Sequence, residues 1–273
     1  MAAPITPADT DAALPLLLVV EDNRDLRLHI MQCLGSDYRF IEAEDGQQGW
    51  EQAREQLPDL LISDLVMPEK DGLELCRLIK STESTSHIPF IMLTAKATQK
   101  GKIEGLETGA DDYIFKPFEG KELYLKTRNL LEQRRKLQDK LQNELLLHPI
   151  PSDQLSQDQK FMRKVRDLIE KHMNDPKLNV TYLSHELGLS RTQAYRKVSA
   201  LCGLSVTELI RNMRTKKAAN LLEQNWGTVS DVGYEVGFNN LSYFAKCFKE
   251  SYGRTPSEYL QLKKTESSGT LGK

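Results

Sequence analysis

Short, almost wholly apolar runs punctuate the first half of the chain. The clearest are residues 14–20, 59–63 and 89–94, and residues 38–43 and 112–116 are weaker candidates. Runs this apolar are typical of parallel strands that are covered on both faces. Amphipathic stretches with apolar residues at helical spacing lie between them. This alternation predicts an α/β doubly wound domain with a five-stranded parallel sheet.

Polar side chains stand where these predicted strands end. Glu21 and Asp22 follow the first run, Asp64 the third, Thr94 ends the fourth, and Lys116 ends the fifth. Ligands of doubly wound sheets bind outside the carboxyl ends of the strands, at the topological switch point. For the strand order 2-1-3-4-5 that point lies between strands one and three. Asp22 and Asp64 would then face each other.

Two carboxylates this close repel each other unless a cation is present. Hard oxygen ligands, with space for water and a phosphoryl group, favour Mg²⁺. Lys116 would supply positive charge where negative charge develops on a phosphoryl group. The pattern therefore predicts an acidic Mg²⁺ site suited to phosphoryl chemistry.

Four motifs in order, VVEDN, SDLVMPEKDG, MLTA and DYIFKPF, give this part of the chain a family resemblance. Residues 15–131 resemble the flavodoxin-like, CheY-like receiver domain of two-component response regulators. The resemblance implies that Asp64 is the phosphoacceptor, which takes a phosphoryl group from a kinase histidine to form an aspartyl phosphate.

The resemblance also implies roles for the neighbouring residues. Thr94 would hydrogen-bond the phosphoryl oxygen beside Lys116, and Tyr113 would be the aromatic switch that turns inward as Thr94 moves. Val66 stands two residues after Asp64 and cannot orient a hydrolytic water, so the lifetime of the phosphate stays open. The implied Mg²⁺ ligands are the carboxylates of Asp22 and Asp64, the backbone carbonyl of Val66 and, through water, Glu21.

The second half of the chain contains an internal repeat. Gly188 matches Gly237, 49 positions further on, and Arg196 matches Lys246, 50 positions further on. A repeated unit of helix, glycine turn and helix predicts two copies of one supersecondary structure.

Charge also separates the two halves. Residues 1–118 carry 11 Lys and Arg against 21 Asp and Glu, whereas the remainder carries 26 against 18. An acidic half and a basic half indicate two different functions, and the basic half is expected to bind nucleic acid.

A second resemblance rests on LSHELGLSRTQAYRKV, ELIRNMRTKKAANLLEQ and VGYEVGFNNLSYFAKCFKESYGRTPSEY. Residues 161–262 resemble the DNA-binding domain of AraC-type regulators. This implies a separate all-α domain in which two helix-turn-helix units each place one helix in the major groove. The candidate recognition helices cover residues 191–201 and 241–251.

Helical spacing separates a buried face from an exposed face on these two helices. The expected buried positions are Ala194, Val198, Phe244 and Phe248. On the long helix between the units, the basic residues expected to be solvated or to contact phosphate are Arg211, Arg214, Lys216 and Lys217. The expected DNA contacts are Arg191, Thr192, Tyr195, Arg196, Ser242, Tyr243 and Lys246.

Outside the two domains, residues 1–14 and 263–273 are expected to be disordered tails, and residues 132–160 a helical linker. No apolar run reaches the ~20 residues that span a bilayer. The four cysteines form no CxxC pair, as is usual for reduced thiols. These features indicate a cytoplasmic protein without membrane contact.

Leu123, Leu130 and Leu137 repeat every seven residues after the receiver-like part. Thr127 and Arg134 interrupt the second seam that a coiled coil needs. A short coiled coil and a solvated connecting helix both stay open.

The combined interpretation is a phosphorylation-controlled, sequence-specific transcription regulator that is not an enzyme. Its expected partners are a cognate histidine kinase and double-stranded DNA, and phosphorylation is expected to produce a homodimer. In an alternative, the same modules are the C-terminal part of a hybrid sensor histidine kinase, with the kinase fused upstream. The signal, the kinase, the operator and the direction of regulation stay open.

Two further classes explain less of the chain. A haloacid-dehalogenase-like phosphatase shares an aspartate nucleophile on an α/β sheet, but needs a second acid where Val66 stands. It also leaves the C-terminal repeat unexplained. A phosphorelay module that makes only protein contacts conflicts with the basic charge of the repeat.

Overall fold

The computed structural model describes residues 14–95, 109–147 and 155–269. The chain divides after Arg134 into two compact units. Among the described residues, no helix is both long and apolar enough to cross a membrane.

The first unit contains a single parallel sheet of five strands, in the order β2-β1-β3-β4-β5. This order confirms the doubly wound arrangement predicted from the apolar runs. The strands are β1 (Leu16–Val20), β2 (Arg39–Ala43), β3 (Leu60–Asp64), β4 (Phe90–Thr94) and β5 (Asp112–Phe115).

Helices alternate with these strands along the chain. Asn23, Asp45 and Asp71 each precede a helix and accept a hydrogen bond from a backbone N–H of its first turn, which satisfies a donor with no partner inside the helix. The described helices of this part are α1 (Arg24–Leu34), α2 (Gly46–Gln56), α3 (Gly72–Ser81) and α4 (Gly120–Leu147).

The core of the first unit lies on both faces of the sheet. Adjacent residues of β1, Leu17 and Leu18, belong to different core clusters, and neither has any exposed surface. Burial on both faces explains why the strands read as continuous apolar runs rather than as alternating ones. The connection between β4 and β5, residues 96–108, lies outside the described residues.

The α4 helix packs on the sheet through residues four apart. Leu123 and Thr127 have no exposed surface and Leu131 is 9% exposed, whereas Leu137 is 63% exposed. Leu123 is part of the core cluster on that face of the sheet. The predicted leucine repeat therefore does not form one exposed seam, because its first member is already buried within the chain.

In residues 155–269 every regular element is a helix, as the resemblance implied. The two predicted recognition helices are α7 and α10, and each runs one residue further than predicted. The helices are α5 (Gln157–His172), α6 (Val180–Leu187), α7 (Arg191–Cys202), α8 (Val206–Glu223), α9 (Val229–Glu235), α10 (Leu241–Tyr252) and α11 (Pro256–Gly269).

The internal repeat is visible as two matching helix pairs. Gly188 ends α6 in a left-handed conformation, and its repeat partner Gly237 has φ +88°. At Gly237 a side chain would also collide with the backbone carbonyl of Met173, so only glycine fits. Ser190 and Asn240 then cap the recognition helices α7 and α10.

The predicted linker and tails are only partly described. The α4 helix continues to Leu147, and α5 begins at Gln157 behind the capping residue Ser156. The α11 helix extends through residues 263–269, which were expected to be disordered. Residues 1–13, 148–154 and 270–273 lie outside the described residues.

Candidate functional site

Three carboxylates meet at the carboxyl edge of the sheet. Glu21 and Asp22 follow β1, and Asp64 is the last residue of β3. One oxygen from each of them lies within 4.8 Å of the others. They meet because β1 pairs directly with β3, so residues after Val20 lie beside those after Ser63.

Lys116 closes this cluster from the end of β5. Its Nζ lies 2.8 Å from Glu21 Oε2 and 2.8 Å from Asp64 Oδ1. The side chain thus reaches past β4 to the two acids. The structure brings together four of the five residues that the strand-end pattern placed at this edge, and the fifth, Thr94, ends β4, the strand between those that lead to Asp64 and Lys116.

Burial and charge shift two pKa values in the cluster. Burial raises the pKa of Glu21, and the charge of Asp64 adds to this, although the hydrogen bond from Lys116 opposes it. Burial alone would lower the pKa of Lys116, but hydrogen bonds to Asp64 and Glu21 outweigh that effect and raise it. One ammonium group facing three acids leaves a surplus of negative charge.

This donor set fits Mg²⁺. Hard carboxylate oxygens are the ligands that Mg²⁺ takes in proteins, together with water. Glu21 is 2% exposed and the Asp64 side chain 13% exposed, while Asp22 is exposed, so the site has a buried side and a side open to solvent. Val66, whose backbone carbonyl is the fourth expected ligand, is 70% exposed.

The two predicted switch residues lie on adjacent strands. Thr94 is the last residue of β4 and is 6% exposed, and its backbone carbonyl accepts a hydrogen bond from the Lys116 N–H at 2.8 Å. Tyr113 of β5 is half-buried and pairs with Met92. Because side chains alternate along a strand, Thr94 and Tyr113 share one face of the sheet.

The two recognition helices show the burial that their spacing predicted. Ala194 and Val198 of α7, and Phe244 and Phe248 of α10, are at most 1% exposed. Tyr195 is 50% and Tyr243 48% exposed. Arg196 is half-buried, and the remaining expected DNA contacts are exposed: Arg191, Thr192, Ser242 and Lys246.

Sequence reasoning missed one basic residue on α7. Lys197 has no exposed surface, and its Nζ lies 4.4 Å from the ring centroid of Phe161 and 3.7 Å from an Asp158 oxygen. Its spacing from Ala194 on the buried face could have revealed it, since residues three apart share a helix face.

Arg214 of α8 corrects a second expectation. It is 9% exposed rather than solvated, and burial lowers its pKa. Its guanidinium donates to the backbone carbonyls of Met173 at 3.0 Å and Asp175 at 2.7 Å. Arg214 thus links α8 to the backbone at Met173 and Asp175. A buried guanidinium needs such acceptors for its donors.

Comparisons with known proteins find a match for each half of the chain. Residues 17–128 match the response regulator receiver domain family, and residues 183–262 match a helix-turn-helix domain family. "Histidine kinase P4" of Formosa agariphila is 41% identical over 243 residues, which cover 89% of this chain and 18% of that protein.

Other relatives match the first half. The phosphate regulon transcriptional regulatory protein PhoB of Pseudomonas aeruginosa is 42% identical over 118 residues, covering 43% of this chain and 52% of that protein. The crystal structure of a putative response regulator from Chloroflexus aurantiacus is 36% identical over 43% of this chain and 98% of that chain, with a TM-score of 0.42.

The chain thus spans 18% of the length of Histidine kinase P4 and 52% of the length of PhoB. It belongs to the response regulator receiver family through residues 17–128 and, through residues 183–262, to the AraC-type helix-turn-helix family.

Proposed function

We propose that this protein is a phosphorylation-controlled, sequence-specific DNA-binding transcription regulator that works in the cytoplasm and is not itself an enzyme. One observation carries the proposal. Lys116 Nζ lies 2.8 Å from both Asp64 and Glu21 in a chain that also contains two helix-turn-helix units. The first feature suits phosphoryl chemistry, and the second suits DNA.

Asp64 is the proposed phosphoacceptor. The N–P bond of a phosphohistidine in the cognate kinase breaks as a bond forms between the phosphorus and an Asp64 oxygen. Lys116 then neutralises a phosphoryl oxygen in place of its present contact with Asp64. When bound, Mg²⁺ offsets negative charge; its ligands would be Asp22, Asp64, the Val66 carbonyl and, through water, Glu21.

Thr94 and Tyr113 are proposed to change position when Asp64 is phosphorylated. Thr94 ends the strand next to Asp64 and can donate its hydroxyl to a phosphoryl oxygen. Tyr113 lies on the same face of the sheet and repacks as Thr94 moves. This changes the surface of the first unit without a contact to Asp64.

The DNA-binding step is proposed to use α7 and α10. Two recognition helices joined by one long helix suit successive major grooves on one DNA face, with half-sites about one turn apart. The exposed polar face of each helix would contact bases or phosphates. Its buried face packs into the domain and makes no contact with DNA.

Acetyl phosphate with Mg²⁺ tests the phosphoacceptor. The wild type should gain one phosphoryl group by intact mass, and Asp64→Asn should gain none. Asp59→Asn is a matched control, because Asp59 precedes the same strand and its carboxylate accepts a hydrogen bond from the Leu16 N–H at 2.9 Å. It should label like the wild type. Equal labelling of Asp64→Asn would refute the assignment.

Phosphorylation is further proposed to favour a homodimer, which would pair two DNA-binding domains. Because Leu123 is buried within the chain, the complete leucine repeat of α4 does not supply the interface. Light scattering with and without beryllofluoride, a phosphoryl mimic, measures the change. An unchanged mass at tens of micromolar protein would count against dimerisation.

The relative named "Histidine kinase P4" favours a second candidate: these modules as the C-terminal part of a hybrid kinase that phosphorylates Asp64 within one chain. It covers 89% of this chain at 41% identity. An antibody against this chain decides between them. In source cells it should detect a band near 31.1 kDa for a separate regulator, or a much larger band for a hybrid kinase.

A further inference from the structure

A buried arginine lies behind the acidic cluster. Arg27 of α1 is 4% exposed, and its guanidinium contacts three acceptors. Nη1 donates to the backbone carbonyl of Glu21 at 2.6 Å, Nε to Glu42 at 2.8 Å, and Nη2 to Glu44 at 3.3 Å. One side chain thus joins the loop after β1 to the end of β2 and the residue that follows.

The hydrogen bond from Arg27 is one of several that hold Glu21 in place. The Glu21 N–H donates to the Ala43 carbonyl at 3.1 Å, and its carboxylate accepts from the Asn23 N–H at 3.3 Å and from Lys116. The backbone carbonyl is the remaining polar group, and it accepts a hydrogen bond from Arg27. Each polar group of Glu21 therefore has a partner.

Asp22 depends on that fixed backbone. Its side chain is exposed, and no hydrogen bond or ion pair to the described residues holds it. Its oxygen nevertheless lies within 4.8 Å of oxygens of Glu21 and Asp64. The place of Asp22 in the cluster therefore follows from the backbone around Glu21 rather than from a contact of its own side chain with the described residues.

We propose that Arg27 is a positioning residue for the metal site. By holding the Glu21 carbonyl, it sets the loop from which Glu21 and Asp22 present their carboxylates to Mg²⁺. The planar guanidinium suits this role, because its fork holds three acceptors in fixed directions, which a lysine ammonium does not. The inference rests on the proposed function, since it takes the cluster as a Mg²⁺ site.

Calorimetric titration of the full chain with Mg²⁺ tests this role. Arg27→Ala should weaken Mg²⁺ binding by about tenfold or more, the usual effect of losing a partner behind a metal ligand. Arg39→Ala is the matched control. Arg39 donates Nε to the Leu14 carbonyl at 3.1 Å, at the opposite end of β1, so its loss should leave the affinity unchanged.

A conservative variant guards against misfolding. Arg27→Lys keeps the charge and most of the bulk, so it should unfold near the wild-type temperature and still bind Mg²⁺ more weakly. Wild-type affinity in either Arg27 variant would overturn the inference. So would an equal loss in Arg39→Ala, because that would reveal general loosening of β1.

The two proposals fail in different ways. If the wild type binds no Mg²⁺ and takes no phosphoryl group from acetyl phosphate, the proposed function fails and the role of Arg27 falls with it. If the wild type does both and Arg27→Ala binds Mg²⁺ as tightly, only the role of Arg27 is overturned.

Discussion

The acidic side chains with shifted pKa values shift in opposite directions in the two units. The receiver domain gathers Glu21, Asp22 and Asp64 at one edge of its sheet, where burial and the charge of Asp64 raise the pKa of Glu21. The helix-turn-helix domain spreads acids over the starts of its helices. There Glu208 has a lowered pKa because it bonds the side chain and backbone of Ser205.

The same pattern recurs along the second domain. Hydrogen bonds with Thr228 lower the pKa of Asp231, and hydrogen bonds with Thr255 lower that of Glu258. Each acid sits in the first turn of its helix, where the N–H groups favour negative charge. The clustered acids of the receiver thus create a demand for a cation, whereas these three acids stabilise helix starts in a domain whose recognition helices carry the basic residues expected to contact DNA.

The largest expected effect concerns those basic residues. Arg196→Ala or Lys246→Ala should weaken operator binding by about 1–3 kcal/mol and relax preference in one half-site, if the side chain contacts a base edge. A phosphate contact would instead weaken all sequences equally and reduce the salt slope by about one unit. Titrations on intact and half-site-scrambled operators at several salt concentrations separate the two cases.

Lys171→Ala is the control, because Lys171 is exposed near the end of α5, outside both helix-turn-helix units. It should bind like the wild type. If neither Arg196→Ala nor Lys246→Ala loses affinity for any operator, the assignment of the recognition helices is wrong.

A second prediction concerns an unpaired polar group in the core of the receiver. Thr127 has no exposed surface, and its Oγ1 has no hydrogen-bond partner in the described structure. Thr127→Val should therefore raise the free energy of unfolding by about 1–2 kcal/mol. Urea unfolding followed by the fluorescence of Trp50, the tryptophan of the receiver, measures it.

Thr85→Val is the matched control for that change. Thr85 is equally buried, but its hydroxyl donates to the Ile79 carbonyl at 2.9 Å, so the same substitution should destabilise. Equal effects at both positions would show that the unpaired hydroxyl of Thr127 does not matter.

A third prediction concerns the caps of the second domain. Ser205→Ala removes the side chain that accepts from the Glu208 N–H at 3.2 Å, and should cost about 1 kcal/mol of stability. Thr207→Ala removes an exposed hydroxyl within the same helix, and should cost nothing because alanine favours helix. Urea unfolding followed by Trp226 compares the two; an equal loss would contradict the cap.

The smallest expected effect is on pH dependence, and it has opposite signs in the two units. Glu208 stabilises above its ordinary pKa of 4.5, and this is lost as pH falls through its lowered folded pKa. The contribution of Glu21 is complete below 4.5 and is lost as pH rises through its raised folded pKa. Acidification should therefore destabilise the second domain more.

The chain has two tryptophans, one in each unit, so variants that keep only Trp50 or only Trp226 report each unfolding separately. The unfolding midpoint seen by Trp226 should fall further than that seen by Trp50 as pH drops toward about 4, near the ordinary carboxyl pKa. Glu208→Gln should reduce the Trp226 shift. Equal shifts for both tryptophans would remove the contrast between the units.

The sequence by itself determined the parallel strands and the place of Asp64, because continuous apolar runs mark buried parallel strands whose carboxyl ends meet at one edge. The order of the strands was implied by the resemblance to receiver domains. The sequence also determined both recognition helices, since the repeat carries their caps and glycine turns. Lys116 could be grouped with the acids for the same reason: its position at a strand end follows from local pattern.

Only the tertiary structure decided which charged side chains are buried. Arg214 and Arg27 look like solvated basic residues in the sequence, yet each is at most 9% exposed. Their acceptors come from distant positions, such as the Met173 carbonyl for Arg214 and Glu42 for Arg27. A buried charge is tolerated only beside such partners, and helical or strand spacing does not say which distant groups the fold brings near.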